Sequence, residues 1–174
     1  MAKAHYIDNK EFLREMIKYR DSITAAKQAG EPKPRIPNYI GKCFMMIAEN
    51  LSHRPNFLSY TFRDEMVSDA VENCVMYVDN FDPTRFQNPF AYFTQITYYA
   101  FLRRIQKEKT QLYIKYKSTE AVGVLDGYHQ NENEDGHMKQ FELYENISEF
   151  IQNYETARNL KKKPAIKSDE SAAE

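Results

Sequence analysis

The stretch from Asn88 to Lys117, NPFAYFTQITYYAFLRRIQKEKTQLYIKYK, leaves the chain little choice but a long helix. Asn followed by Pro is a helix start, the Asn side chain capping and the Pro taking the first helical position. Beyond Pro89 neither Pro nor Gly interrupts the run before Lys117. Its first half is crowded with rings: Phe90, Tyr92, Phe93, Tyr98, Tyr99 and Phe101. Its second half is basic, carrying Arg103, Arg104, Lys107, Lys109, Lys115 and Lys117 against the single acid Glu108.

Two uses of such a helix compete. Phe90, Phe93, Thr97, Phe101 and Arg104 step by three and four, which places the phenylalanines on one side suited to a core. Tyr92, Tyr99 and Arg103 fall on another side, and a single helix does not bury every side in a chain this polar. Exposed rings with cations along one rod suit single-stranded nucleic acid, because bases stack on rings while Lys and Arg follow phosphates. The plainer use is a core of rings with solvated charges outside.

Few glycines (five), many tyrosines (thirteen) and no tryptophan favour helices over a turn-rich β fold. A hydrophobic content of 42% supplies one core, and 28% charged residues keep it wettable. The net charge is −1, but it is unevenly distributed. Residues 85–117 hold seven cations and Glu108, whereas residues 118–155 hold nine acids and only Lys139. That asymmetry predicts a local basic surface with an acidic neighbour. Cys43 and Cys74 lack CxxC spacing and read as buried thiols of a reducing compartment. No apolar run reaches the 18 or so residues of a membrane span, and no signal-peptide core opens the chain. A cytoplasmic protein without membrane partners is expected.

Asp8 or Asn9 starts a helix that Gly30 ends near Ala29. The segment EPKPRIP, with three prolines, is an extended linker. Asn38 caps a second helix reaching Ser52, and 53–60 is a loop broken by Pro55. Thr61 starts a third helix with Thr61 and Asp64 in capping positions. Met66, Val67, Ala70, Val71, Cys74, Val75 and Val78 form its inner side, leaving Glu65, Ser68, Asp69, Glu72 and Asn73 outside. DPTRFQN is a turn before the aromatic helix. Residues 118–136 read as a polar loop, 137–159 as a helix with an apolar face, and the tail 161–174 as disordered. The expected architecture is all-α: a helical bundle over 1–117, an acidic loop and helix over 118–160, and the tail.

Enzyme signatures are absent: there is no HExxH, GxSxG, GxGxxG or Walker loop. Asn131, Asn133, Asp135, Gly136 and Glu142 fall at EF-hand positions, but Asn opens the loop and Lys139 occupies a ligand position, so calcium is not expected. No catalytic residue, metal or cofactor is assigned.

One resemblance organises what is left. Glu65-Met66-Val67-Ser68-Asp69-Ala70, Val78-Asp79-Asn80-Phe81, Phe90-Ala91-Tyr92 and Ala100-Phe101-Leu102-Arg103-Arg104-Ile105 resemble, in order and spacing, region 2 of bacterial sigma factors. NFDPTRFQNPFAYFTQ and AFLRRIQKEK are similar to the late-transcription sigma factors of large myovirus-type bacteriophages, over about Arg63 to Lys109. The resemblance implies a phage sigma factor that binds host core RNA polymerase and opens late promoter DNA at an AT-rich −10-like element. It implies polymerase binding through Glu65, Ser68, Asp69 and Glu72. It puts Tyr92 where sigma factors keep an aromatic for the flipped base. Tyr98 and Tyr99 are further stacking surface, and Arg103, Arg104, Lys107 and Lys109 are phosphate contacts.

The energetics fit that role. Unstacking a base costs a few kcal/mol, and stacking on a ring returns about 1–3 kcal/mol. The sequence also departs from the family. Gln95 and Ile96 stand where a tryptophan pair is usual, and Tyr99 and Leu102 stand where polar base readers are usual. The family's C-terminal sliding-clamp motif has no counterpart in AIKSDESAAE. A clamp contact, if made, would then fall elsewhere, for instance on the acidic helix with Phe141, Tyr144 and Phe150, with a coactivator as a further partner. Two other readings stay open: a nucleic-acid-binding protein without a polymerase partner, and a helical adaptor that binds only protein.

Overall fold

A computed structural model describes the backbone of residues 6–122 and 134–162, with side chains over 6–122 and 145–160. Every regular element among the described residues is helical. The order is α1 (Asn9–Ala29), α2 (Asn38–Ser52), α3 (Pro55–Leu58), α4 (Arg63–Met76), a 3-10 turn (Val78–Asn80), α5 (Pro89–Ala121) and α6 (Glu134–Lys162). Two compact units divide at Gln106 and Lys107, inside α5.

The ends of α1 and the start of α5 follow local chemistry. The Asp8 carboxylate accepts from the backbone N–H of Lys10 (2.8 Å) and Glu11 (3.3 Å), occupying two donors that the first turn leaves open. Gly30 closes α1 with φ 72°, a left-handed conformation that costs glycine nothing. Asn88 Oδ1 accepts from Ala91 N–H at 3.0 Å, the expected cap of α5. The proline-rich linker is not helical and is fastened back by Lys33 to Asp79 at 2.7 Å and by the Tyr19 hydroxyl to the Pro34 carbonyl at 3.4 Å.

Other starts differ from the sequence reading. Pro37 takes the N-cap position of α2, so Asn38 lies inside the helix and makes no cap bond. α4 begins at Arg63 behind Phe62, without a side-chain cap; Asp64 and Glu65 in its first turn favour the positive end of the helix dipole instead. The expected loop 53–60 contains the single turn α3, for which Pro55 supplies a preset φ at the first position. α5 also continues past Lys117 to Ala121, where Lys117 and Glu120 pair at 3.0 Å.

The core of the first unit is built on α2, whose Ile40, Cys43, Phe44, Ile47, Ala48 and Leu51 are all buried at helical spacing. On one side lies a lattice of rings. Phe44 sits 4.5 Å from Phe93, and Phe12 and Phe81 lie 5.7 and 5.9 Å from Phe93, all three pairs tilted and none stacked face to face. On the other side Leu51, Phe57, Met66, Ala70, Phe101 and Ile105 pack together. Two buried hydroxyls are satisfied within their own helices, Ser52 on Glu49 O (2.8 Å) and Thr97 on Phe93 O (2.9 Å). Both cysteines are buried and free.

In the second unit, the Tyr113 ring stacks on Tyr154 at 4.5 Å, and Tyr116 meets Phe150 edge-on at 5.5 Å. Ile147 and Ile151 are buried beside them. Thr110 bonds the Tyr154 hydroxyl at 2.8 Å, and Tyr113 donates to Glu155 at 2.8 Å. The tail after Lys162, the loop before Glu134 and the EF-hand-like side chains lie outside the described residues.

Candidate nucleic-acid interface

The side of α5 that turns inward in the first unit is Pro89, Phe93, Thr97, Ala100, Phe101 and Ile105. Helical spacing then fixes what faces outward: Gln95, Tyr98, Tyr99, Leu102 and Gln106 are all exposed. Tyr99 is 51% and Tyr98 41% exposed, their rings meeting at 5.9 Å and 70°. Tyr98 is braced from below by Phe57 of α3, edge-on at 5.9 Å. Leu102, one turn on from Tyr98, extends the same open surface. This is a stripe of rings and one aliphatic side chain on a rigid helix, open to a planar ligand.

Tyr92 is different. It is half-buried, and its ring meets Phe81 at 5.3 Å, Phe86 at 5.7 Å and Phe93 at 5.1 Å. Burial pushes its hydroxyl above the usual tyrosine range. Tyr92 is thus built into the edge of the ring lattice, with the exposed Phe86 covering part of it.

The charged residues of the sequence reading also separate into distinct environments. Arg104 is largely covered, and one guanidinium nitrogen spans both carboxylate oxygens of Asp69 at 3.1 and 3.4 Å. A residue expected on phosphate and one expected on a protein partner are therefore bound to each other. Arg103 is exposed and donates to Asn73 Oδ1 at 2.5 Å. Lys107 and Lys109 are exposed and belong to the second unit.

On α4, Glu65, Ser68 and Glu72 are exposed, and Ser68 bonds back to the Asp64 carbonyl at 3.0 Å. Glu65, Glu72 and Met76 follow at seven and four residues and share one line along the helix. Met76 is 64% exposed, flanked by exposed Val75 and Tyr77, so the acidic line ends in an apolar patch. Val75, counted with the inner side from its sequence, belongs to this outer surface. The sequence reading placed Asn73 outside but missed its bond to Arg103, and it missed Phe57 and the Val75–Tyr77 patch as parts of these surfaces. Asn73 had one local signal, its place four residues after Asp69; the other two depend on how distant segments meet.

No cluster of His, Cys, Asp and Glu able to hold a metal occurs among the described residues. No described helix is long and apolar enough to cross a membrane. Neither protein-family models nor the curated proteins give a match to this sequence.

Proposed function

We propose that this chain is a sigma factor of the phage late-transcription type, which joins host core RNA polymerase and opens promoter DNA at an AT-rich −10-like element. The observation that carries the reading is the open stripe Tyr98, Tyr99 and Leu102 on α5, with the exposed guanidinium of Arg103 beside it. An unpaired base finds ring faces there and its phosphate finds a cation. The acidic and apolar line of α4, Glu65, Ser68, Glu72 and Met76, is the surface offered to polymerase. Chemistry belongs to the polymerase in this reading, and the chain needs no catalytic residue, metal or cofactor. Sliding clamp and coactivator remain further partners that the resemblance suggests.

Run-off transcription with the full-length chain, core polymerase and an AT-rich late-type promoter tests this directly. Transcripts and permanganate-reactive thymines at the −10 element are expected only when chain and polymerase are both present. Glu65→Lys with Glu72→Lys should abolish co-purification with polymerase while helix content is kept. Tyr99→Ala should impair opening of duplex promoters by roughly the 1–3 kcal/mol of one stacked base, and a premelted template should restore much of it. Salt-dependent DNA binding without any association with polymerase would instead favour a nucleic-acid-binding protein that acts alone.

A further inference from the structure

Two of the side-chain contacts between α4 and α5 differ in electrical character. Asp69 meets Arg104 as carboxylate to guanidinium, so that cation is neutralised where it stands. Asn73 meets Arg103 as amide to guanidinium, at 2.5 Å. The amide is fixed in its turn, because its Nδ2 donates to the Asp69 carbonyl at 2.6 Å. A flipped amide would set donor against donor and acceptor against acceptor, so only one orientation satisfies both bonds. Asn73 thus holds a bond acceptor toward Arg103 and contributes no charge. The contact uses one of the five donors of the guanidinium. Arg103 is steadied, stays exposed beside Tyr99 and Leu102, and keeps its full positive charge.

We infer that Asn73 is a positioning residue for Arg103, orienting that side chain toward a phosphodiester oxygen of nucleic acid without cancelling its charge. The inference rests on the reading of α5 as a nucleic-acid surface. A carboxylate at position 73 would lose the donor to the Asp69 carbonyl but pair with Arg103 by charge, and would remove its attraction for phosphate. A side chain with no acceptor would leave the charge and lose the orientation. The two failures have different signatures, because charge sets the salt dependence of binding and orientation does not.

The test uses the full-length chain, alone and with core polymerase, and a fluorescent AT-rich fork oligonucleotide titrated at salt from about 50 to 200 mM. Arg103→Ala should make the log–log salt slope shallower by about one. Asn73→Asp should reproduce that shallower slope while keeping the helix content of the parent. Asn73→Ala should keep the parent slope and bind a few-fold more weakly. If Asn73→Asp keeps the parent slope while Arg103→Ala loses it, the inference is overturned and the interface reading stands. If Arg103→Ala keeps the parent slope, Arg103 holds no phosphate and the inference fails. Should Asn73→Asp not fold, Asn73→Ala decides: parent affinity and slope overturn the proposal, weaker binding at parent slope supports it. A parent chain with no salt-dependent binding in either form overturns both readings.

Discussion

Tyr92 and Tyr99 lie two turns apart on one helix and should respond differently to truncation. Three rings surround Tyr92 at 5.1 to 5.7 Å, so Tyr92→Ala removes partly buried contact area and opens the edge of the Phe93 lattice. A loss of about 2–3 kcal/mol is expected, seen as a lower urea midpoint with an unchanged slope. Tyr99→Ala, at an exposed position, should stay within about 0.5 kcal/mol of the parent. Equal stability of both variants would place the Tyr92 ring outside the core. A defect of Tyr92→Ala in promoter opening therefore bears on stacking only after the folded fraction is measured. The same reasoning governs Asp69. Asp69→Lys would bring a second cation against Arg104, so a failure to bind polymerase would first have to be separated from damage to the α4–α5 contact.

At the scale of elements, legibility followed locality. Asp8, Gly30 and Asn88 act on neighbours within four residues, and their roles as helix ends could be read directly. The burial of Phe93, Phe101, Met66, Ala70 and Cys74 followed from three-and-four spacing. The pairing of Asp69 with Arg104, at a separation of 35 residues, has no local signature. The cap of α2 was misplaced by one residue because Pro37 and Asn38 both suit a helix start. The Tyr98–Tyr99 surface was legible as a pattern, but the bracing of Tyr98 by Phe57 depended on α3, an element hidden by its Pro and its brevity. In the second unit, Glu155 gives a prediction that belongs to the element. Tyr113 donates to it, Lys117 stands at 3.5 Å, and its carboxyl is held below the ordinary carboxylate value. A lowered folded value means that the contact contributes fully above the ordinary carboxylate value and is lost as pH falls through the lowered one. Helix content of the parent should therefore decline on acidification below about pH 4.5, and Glu155→Gln should flatten the part of that decline due to this contact. Identical acid titrations of parent and variant by circular dichroism would remove Glu155 from the account.

Over the whole molecule, charge and aromatic content are arranged by segment: the cations of 85–117 precede the acids of 118–155. Binding to a polyanion should accordingly depend on salt more steeply than a net charge of −1 suggests, because the phosphates meet exposed cations such as Arg103 and not the average charge of the chain. The two thiols are unevenly placed as well. Cys43 and Cys74 both lie in the first unit, and the chain has no others. Burial pushes the Cys74 thiol up to about 11, so its reactive thiolate is scarce at neutral pH. A colorimetric thiol reagent must wait for the first unit to open before it can react. The expected result is slow labelling of both thiols in native buffer, accelerating together in urea; rapid labelling of either without denaturant would show a loosely packed core. The chain thus carries its own stopwatch for one half of itself. Polymerase or DNA seated on α4 and α5 should slow that stopwatch, and a ligand held by the second unit alone should leave it running at the same rate.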